Sequence, residues 1–157
     1  MKRKTYTMLL LIIVAIYGVF GQSTSSDIFR EALRHLEFGN EHHDRGDFDQ
    51  AIAEYTEAAR LHPSFVWAYY YRAMAFFSQR DYDSAIADYT EAIRLNPIML
   101  TAYVNRGAAY YNKGDFNNAI ADFEAALRIS PDHAVARRYL EMALARREGR
   151  TGLQLLN

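Results

Sequence analysis

The chain has 157 residues, half of them hydrophobic and 24% charged, which is room for one ordinary domain and too aromatic for disorder. It contains no cysteine, so a disulfide framework, a thiolate metal site and a lipid-modified cysteine are excluded. The formal net charge is −1, and without the three cations of the leader described next, 15 basic residues face 19 acidic ones. That mild acidity argues against a nucleic-acid face, which needs concentrated positive charge.

Residues 1–21 have the layout of a secretory signal peptide. Lys2-Arg3-Lys4 is the positive region, Met8 to Phe20 an uncharged apolar run, and Gly21 a small residue before Gln22. The run is shorter than the ~20 residues a spanning helix needs. The expectation is therefore export to a periplasmic or extracellular space. The alternative is an uncleaved anchor extending back to Tyr6, with membrane contact only in that case.

Gln22 to Ser26 reads as a polar linker, and Asp27 as the N-cap of the first helix of a domain spanning 27–148. From there the chain repeats with a period of 34 residues. Alanine recurs at 51, 85 and 119 and again at 58, 92 and 126. An aromatic recurs at 55, 89 and 123, and the three prolines fall at 63, 97 and 131. Such a period marks stacked supersecondary units, none of which buries its apolar face alone.

Each unit (about 32–65, 66–99 and 100–133) reads as two amphipathic helices closed by proline. The helices of a pair are separated by Gly46-Asp47 in unit one and Gly114-Asp115 in unit three. Glycine supplies the left-handed C′ residue and aspartate the next N-cap. Gln50, three after Asp47, suits a capping box. Unit two has Arg80-Asp81, so a strained or differently capped turn is expected there. Ala134 to Glu148 continues as a charged capping helix, and the tail 149–157 is expected to be mobile, with Leu153, Leu155 and Leu156 apolar enough to dock.

The period, the Gly or Ala at 39, 73 and 107, the paired alanines and the terminal prolines resemble tetratricopeptide repeats. The resemblance implies an all-α, right-handed superhelix of antiparallel helix pairs, with the first helices lining a concave groove. It also implies binding of a protein or peptide rather than catalysis. His35 and His42 stand where the family has large apolar residues, so looser or wetter packing is expected in unit one.

The helix Val66 to Phe77 carries one charge in twelve residues and two apolar stripes. Tyr69 and Phe76 are assigned to the core. Trp67, Tyr71 and Met74 are assigned to the groove, and Tyr70 and Phe77 fit either. By the resemblance, unit one adds Leu36, Glu37, Asn40, His43 and Asp44. Unit three adds Val104, Asn105, Ala108 and Tyr111, and the capping helix Tyr139 and Met142. Each ring covers roughly 150–250 Å², about 4–6 kcal/mol of transfer free energy at most. The expected partner presents an apolar or aromatic segment with a basic flank for Glu37 and Asp44.

Some family members clamp chaperone carboxylates with lysine, asparagine and arginine. Here Leu36, Tyr71, Thr101 and Asn105 occupy four of those positions and only Asn40 matches. Without cations a carboxylate gains little. Glu41-His42-His43-Asp44 fans through about 300° of helix, and His35 and His42 stand about 10 Å apart, so no metal site is expected. His62 and His133 read as ordinary surface residues. No phosphate loop, catalytic triad or cofactor motif appears, so no enzyme and no cofactor are expected. Arg72 and Arg106 are expected to pair with acids of adjacent helices. A homo-oligomer joined through the aromatic stripe or the leucine-rich tail is the alternative to a scaffold.

Overall fold

A computed structural model describes residues 24–149. The leader, residues 22–23 of the linker and the tail from 150 lie outside the described residues. Among those described there are seven α-helices and no strand: α1 (Ser25–Arg45), α2 (Phe48–Leu61), α3 (Val66–Ser78), α4 (Tyr82–Leu95), α5 (Leu100–Lys113), α6 (Phe116–Ile129) and α7 (Ala134–Arg147).

The first helix starts earlier than Asp27. Thr24 is the N-cap and Asp27 the third helical residue. The Thr24 hydroxyl accepts from the Asp27 N–H at 3.3 Å, and the Asp27 carboxylate accepts from the Thr24 N–H at 3.2 Å. This reciprocal box satisfies two donors that a lone Asp27 cap would leave open. Thr24, Ser25 and Ser26 therefore belong to the helix rather than the linker. Asp47, by contrast, makes no side-chain cap bond, and the box with Gln50 does not form. Its carboxylate is drawn instead towards His42 Nδ1 and Arg45 Nε, at 3.7 and 3.6 Å. Asp81 and Asp115 do cap, each accepting a backbone N–H at 3.2 Å from Ser84 and Asn118.

The three turns within the helix pairs share one backbone path. Gly46 and Gly114 have φ +82°, and Arg80 at the equivalent place has φ +64°. The N–H of each bonds the carbonyl three residues back, and the N–H of the following aspartate bonds the carbonyl five back. Unit two thus makes the same left-handed turn with a side chain that disfavours it.

Sequential helices pack on one another, and the alternate helices α1, α3, α5 and α7 also touch directly. This makes the chain an all-α helical-repeat solenoid. Alanines 51, 58, 85, 92, 119 and 126 are fully buried, as are the rings of Tyr55, Tyr89 and Phe123. Small residues at 39, 73 and 107 let the paired helices close over those rings. At Gly107 an added Cβ would lie 2.7 Å from Phe123 Cε1.

The outer faces differ from the inner ones in sequence. Ala68, Ala102, Ala136, Ala75, Ala109 and Ala143 are buried against the preceding pair, whereas Arg34 and Glu41, their counterparts in α1, are exposed. At the other end Glu141 is exposed where Gly39, Ala73 and Gly107 sit. Charge replaces alanine and glycine where no described helix packs.

Tyr69 and Phe76 are half-buried at the margin of the core rather than enclosed in it. The Tyr69 hydroxyl donates to the Pro63 carbonyl at 3.2 Å. His35 meets polar partners, with Nδ1 2.6 Å from a Glu54 carboxylate oxygen. His62 and His133 are not idle surface residues. His62 packs on Phe29 and Phe65, and His133 Nδ1 accepts the Ala136 N–H at 3.1 Å as the N-cap of α7.

Candidate binding face

The face built by the first helices centres on α3. Seven of its thirteen residues are aromatic or methionine, too many for one buried stripe, so part of the surplus must face elsewhere. Trp67 is 47% exposed. Its ring is stacked on Tyr71 at 5.9 Å and 29°, and Tyr71 is stacked on Tyr55 at 5.9 Å and 22°. The result is a run of three rings, closed by the core at Tyr55 and open at Trp67. Offset stacking of this kind is favoured by the ring quadrupoles.

Tyr70 is 9% exposed and belongs to the core. Its ring meets Tyr89 and Trp67 edge-on at 5.8 and 5.7 Å, and its hydroxyl oxygen accepts from Asn105 Nδ2 at 3.0 Å. A phenol so enclosed needs that partner, and Asn105 provides it from the next repeat. Asn40 does the same for the first ring run, accepting from the Tyr55 hydroxyl at 2.8 Å. Burial, then the nearby Tyr71 and Asp44, push the Tyr55 phenol up, so it stays a neutral donor.

Met74 and Phe77 are half-buried and, with Ser78, Tyr89, Asn105 and Ala108, line a hollow of about 180 Å³ between α3 and α5. Trp67, Tyr70, Tyr71, Met74, Phe77 and Asn105 are thus brought together, with Asn40 joined through Tyr55. Three expected residues stand apart. Tyr111 packs edge-on to Phe116 at 5.5 Å, beside Arg146. Tyr139 is stacked on Phe123 at 5.6 Å and 16°. Glu37 is exposed and borders a broad depression of about 700 Å³ along α1. The charges lining that depression are largely spent on each other, Arg30 on Asp27 and Arg34 on Glu31.

Ser78, Tyr89 and Ala108 were not expected as a group. The available signal was comparative: Asn105 and Ala108 are smaller than the Tyr71/Met74 and Tyr139/Met142 pairs at equivalent positions. Among the described residues no three His, Asp or Glu side chains come together to hold a metal ion.

A family model described as tetratricopeptide repeat matches residues 36–97 and 72–134. Among solved structures, the Arabidopsis OM64 TPR domain is 27% identical, with a TM-score of 0.71 over 74% of this chain and 96% of that domain. The first TPR of Spaghetti (RPAP3), bound to the HSP90 peptide SRMEEVD, is 30% identical, with a TM-score of 0.71 over 73% of this chain and 91% of that one. The second TPR domain of human RPAP3, in complex with the HSP70 peptide SGPTIEEVD, is 28% identical, with a TM-score of 0.72 over 74% and 97%. A search of curated proteins gave no match. Repeat period, stacked helix pairs and these likenesses agree, and the chain belongs to the tetratricopeptide repeat family.

Proposed function

We propose that the chain is a non-catalytic scaffold that binds a protein or peptide segment along the concave face of its superhelix. The observation that carries this reading is Trp67, held by Tyr71 yet 47% exposed. A large amphipathic ring fixed in place but open to solvent is what interaction sites are built around.

The RPAP3 domains bind acidic chaperone peptides. That mode does not transfer readily. The clamp positions here carry Leu36, Asn40, Tyr71, Thr101 and Asn105, with no cation to meet a carboxylate. The ring run and the hollow favour an apolar or aromatic segment, and the exposed Asp44, near Tyr55, favours a basic flank. With its leader, the protein is an exported scaffold, or a membrane-anchored one if the leader is retained.

The test is capture of binding partners by the full-length protein and by the double variant Trp67→Ala/Tyr71→Ala. Partners held by the native chain and lost by the variant support the reading. Partners held equally by both would place the site elsewhere. Sedimentation of the native chain alone addresses self-association, since a monomer at high concentration excludes a second copy as the occupant.

A further inference from the structure

Aligned on the 34-residue period, the later first helices each carry the same pair of positions. The pair is Tyr71 and Met74 in α3, Tyr139 and Met142 in α7, but Asn105 and Ala108 in α5. Tyr71 covers Tyr55, and Tyr139 covers Phe123, each in a near-parallel stack. Tyr89 is the equivalent of Tyr55 and Phe123. It is covered instead by Tyr70 of its own repeat, edge-on, with Asn105 tied to the Tyr70 hydroxyl. Where a ring stands at the other two junctions, α5 has only Asn105, and a hollow of about 180 Å³ lies beside it.

We propose that this hollow is a side-chain site that takes one aromatic ring of a bound partner. The partner supplies from outside what Tyr71 and Tyr139 supply at the neighbouring junctions. The inference rests on the groove reading above and names its central contact. A water takes up about 30 Å³ of liquid, so the space suits a single side chain and not a turn of helix. None of the six lining residues carries a charge, which turns away a carboxylate or an ammonium group. Met74 offers a thioether and Phe77 a ring, both of which gain from an aromatic neighbour beyond simple area burial. The rim is polar. Ser78 donates its hydroxyl hydrogen to the Met74 carbonyl at 3.0 Å, which leaves its oxygen free to accept.

The experiment uses full-length protein with labelled Met and Ala methyl groups, titrated with N-acetyl-tyrosinamide, N-acetyl-phenylalaninamide and N-acetyl-leucinamide. The aromatic amides are expected to shift the Met74 and Ala108 methyl signals saturably, by ring current. The leucine amide should bind roughly fivefold more weakly. Two variants fill the hollow from within: Asn105→Tyr introduces the ring that α3 and α7 carry at this position, and Ala108→Met adds a longer side chain while keeping the Asn105–Tyr70 bond. Each should abolish the shift of the Met74 methyl signal. Unmoved methyl signals, equal binding of the leucine amide, or shifts that persist in both variants would overturn the proposal. A captured partner that is lost by Trp67→Ala/Tyr71→Ala but kept by Ala108→Met sinks the hollow alone. Amide binding at the hollow with capture indifferent to Trp67 and Tyr71 sinks the wider groove and keeps the hollow.

Discussion

Arg72 grips Asp88 through two nearly equal hydrogen bonds, Nε to Oδ2 at 2.7 Å and Nη2 to Oδ1 at 2.8 Å. Its remaining nitrogen donates to the Thr56 hydroxyl of the preceding repeat at 3.0 Å. Arg106 repeats the arrangement with Asp122 and Thr90. One guanidinium therefore joins the two helices of its own unit to the second helix of the unit before. The planar fork makes this possible, and the bond to Asp88 holds the Arg72 guanidinium above its ordinary range. Unit one lacks the device: Phe38 and Glu54 stand at these positions, and Glu54 is taken by His35.

Removing the cation strands a largely buried carboxylate. Arg72→Leu is expected to cost about 3–4 kcal/mol in urea unfolding, because Asp88 keeps its desolvation without its partner. The double variant Arg72→Leu/Asp88→Leu should recover most of that loss. If single and double variants unfold at the same urea concentration, the loss comes from packing of the arginine stem and not from the stranded charge.

Arg80 stands alone among the three turn residues in having a side chain at positive φ. The left-handed conformation costs an L residue roughly 1–2 kcal/mol, part of which glycine returns as unfolded-state entropy. Arg80→Gly should therefore raise stability by about 0.5–1 kcal/mol. Gly114→Ala, in the same turn of unit three, should lower it by a similar amount. Thermal or urea midpoints of the two variants are expected to move in opposite directions.

Alanine sits at 73 without difficulty, yet the same residue should not be neutral at 107. An added Cβ there lies 2.7 Å from Phe123 Cε1 and 3.0 Å from Cδ1, and the stacked ring of Tyr139 blocks retreat. Overpacking costs about 1–3 kcal/mol, against about 1 kcal/mol gained in helix propensity. Gly107→Ala is expected to lose about 1 kcal/mol net. A gain would show that Phe123 moves aside freely.

The period, the alanines and the buried rings were legible in the sequence because every inter-repeat junction imposes the same constraint, so each position is written three times. The same comparison of copies marked the Arg80 turn as strained or differently capped, and foretold the acidic partners of Arg72 and Arg106. What escaped depends on one-off relationships. Thr24 displaces Asp27 as the first cap because a reciprocal pair beats a single acceptor. Asp47 fails to cap because His42 and Arg45 lie across its turn. Tyr70 is buried with its hydroxyl oxygen accepting from the side-chain amide of Asn105, 35 residues away. The hollow exists only as a size difference between aligned copies, visible once the copies are superposed in space.

Acid should weaken the fold through its helix starts. Asp27 and Asp81 are held below the usual carboxylate range, first by the Thr24 and Ser84 side chains and then by the backbone N–H groups of the same residues. These carboxylates ionise at lower pH in the folded chain than in the unfolded one. As pH falls, the unfolded chain takes up the proton first, so their contribution is complete above the ordinary carboxylate range and lost below it. The urea midpoint is expected to drop between about pH 5 and pH 3. Asp81→Asn keeps an acceptor for the Ser84 N–H but cannot titrate, and should drop less over the same interval. An identical acid limb for both proteins would remove Asp81 from the account.

Trp67 is the one tryptophan in the chain, so its fluorescence reports the open end of the ring run without interference. At 47% exposure its emission should be quenched appreciably by iodide in the free protein. Quenching should diminish when a partner covers the face. Tyr71→Ala removes the stacked neighbour and should shift both emission and quenching, whereas Tyr111→Ala, at the separate Phe116 contact, should change neither. Quenching that falls as the protein itself is concentrated would identify a second copy as the occupant. A tryptophan insensitive to iodide in the dilute free monomer would mean that the face is closed, and the scaffold reading built on it would fail.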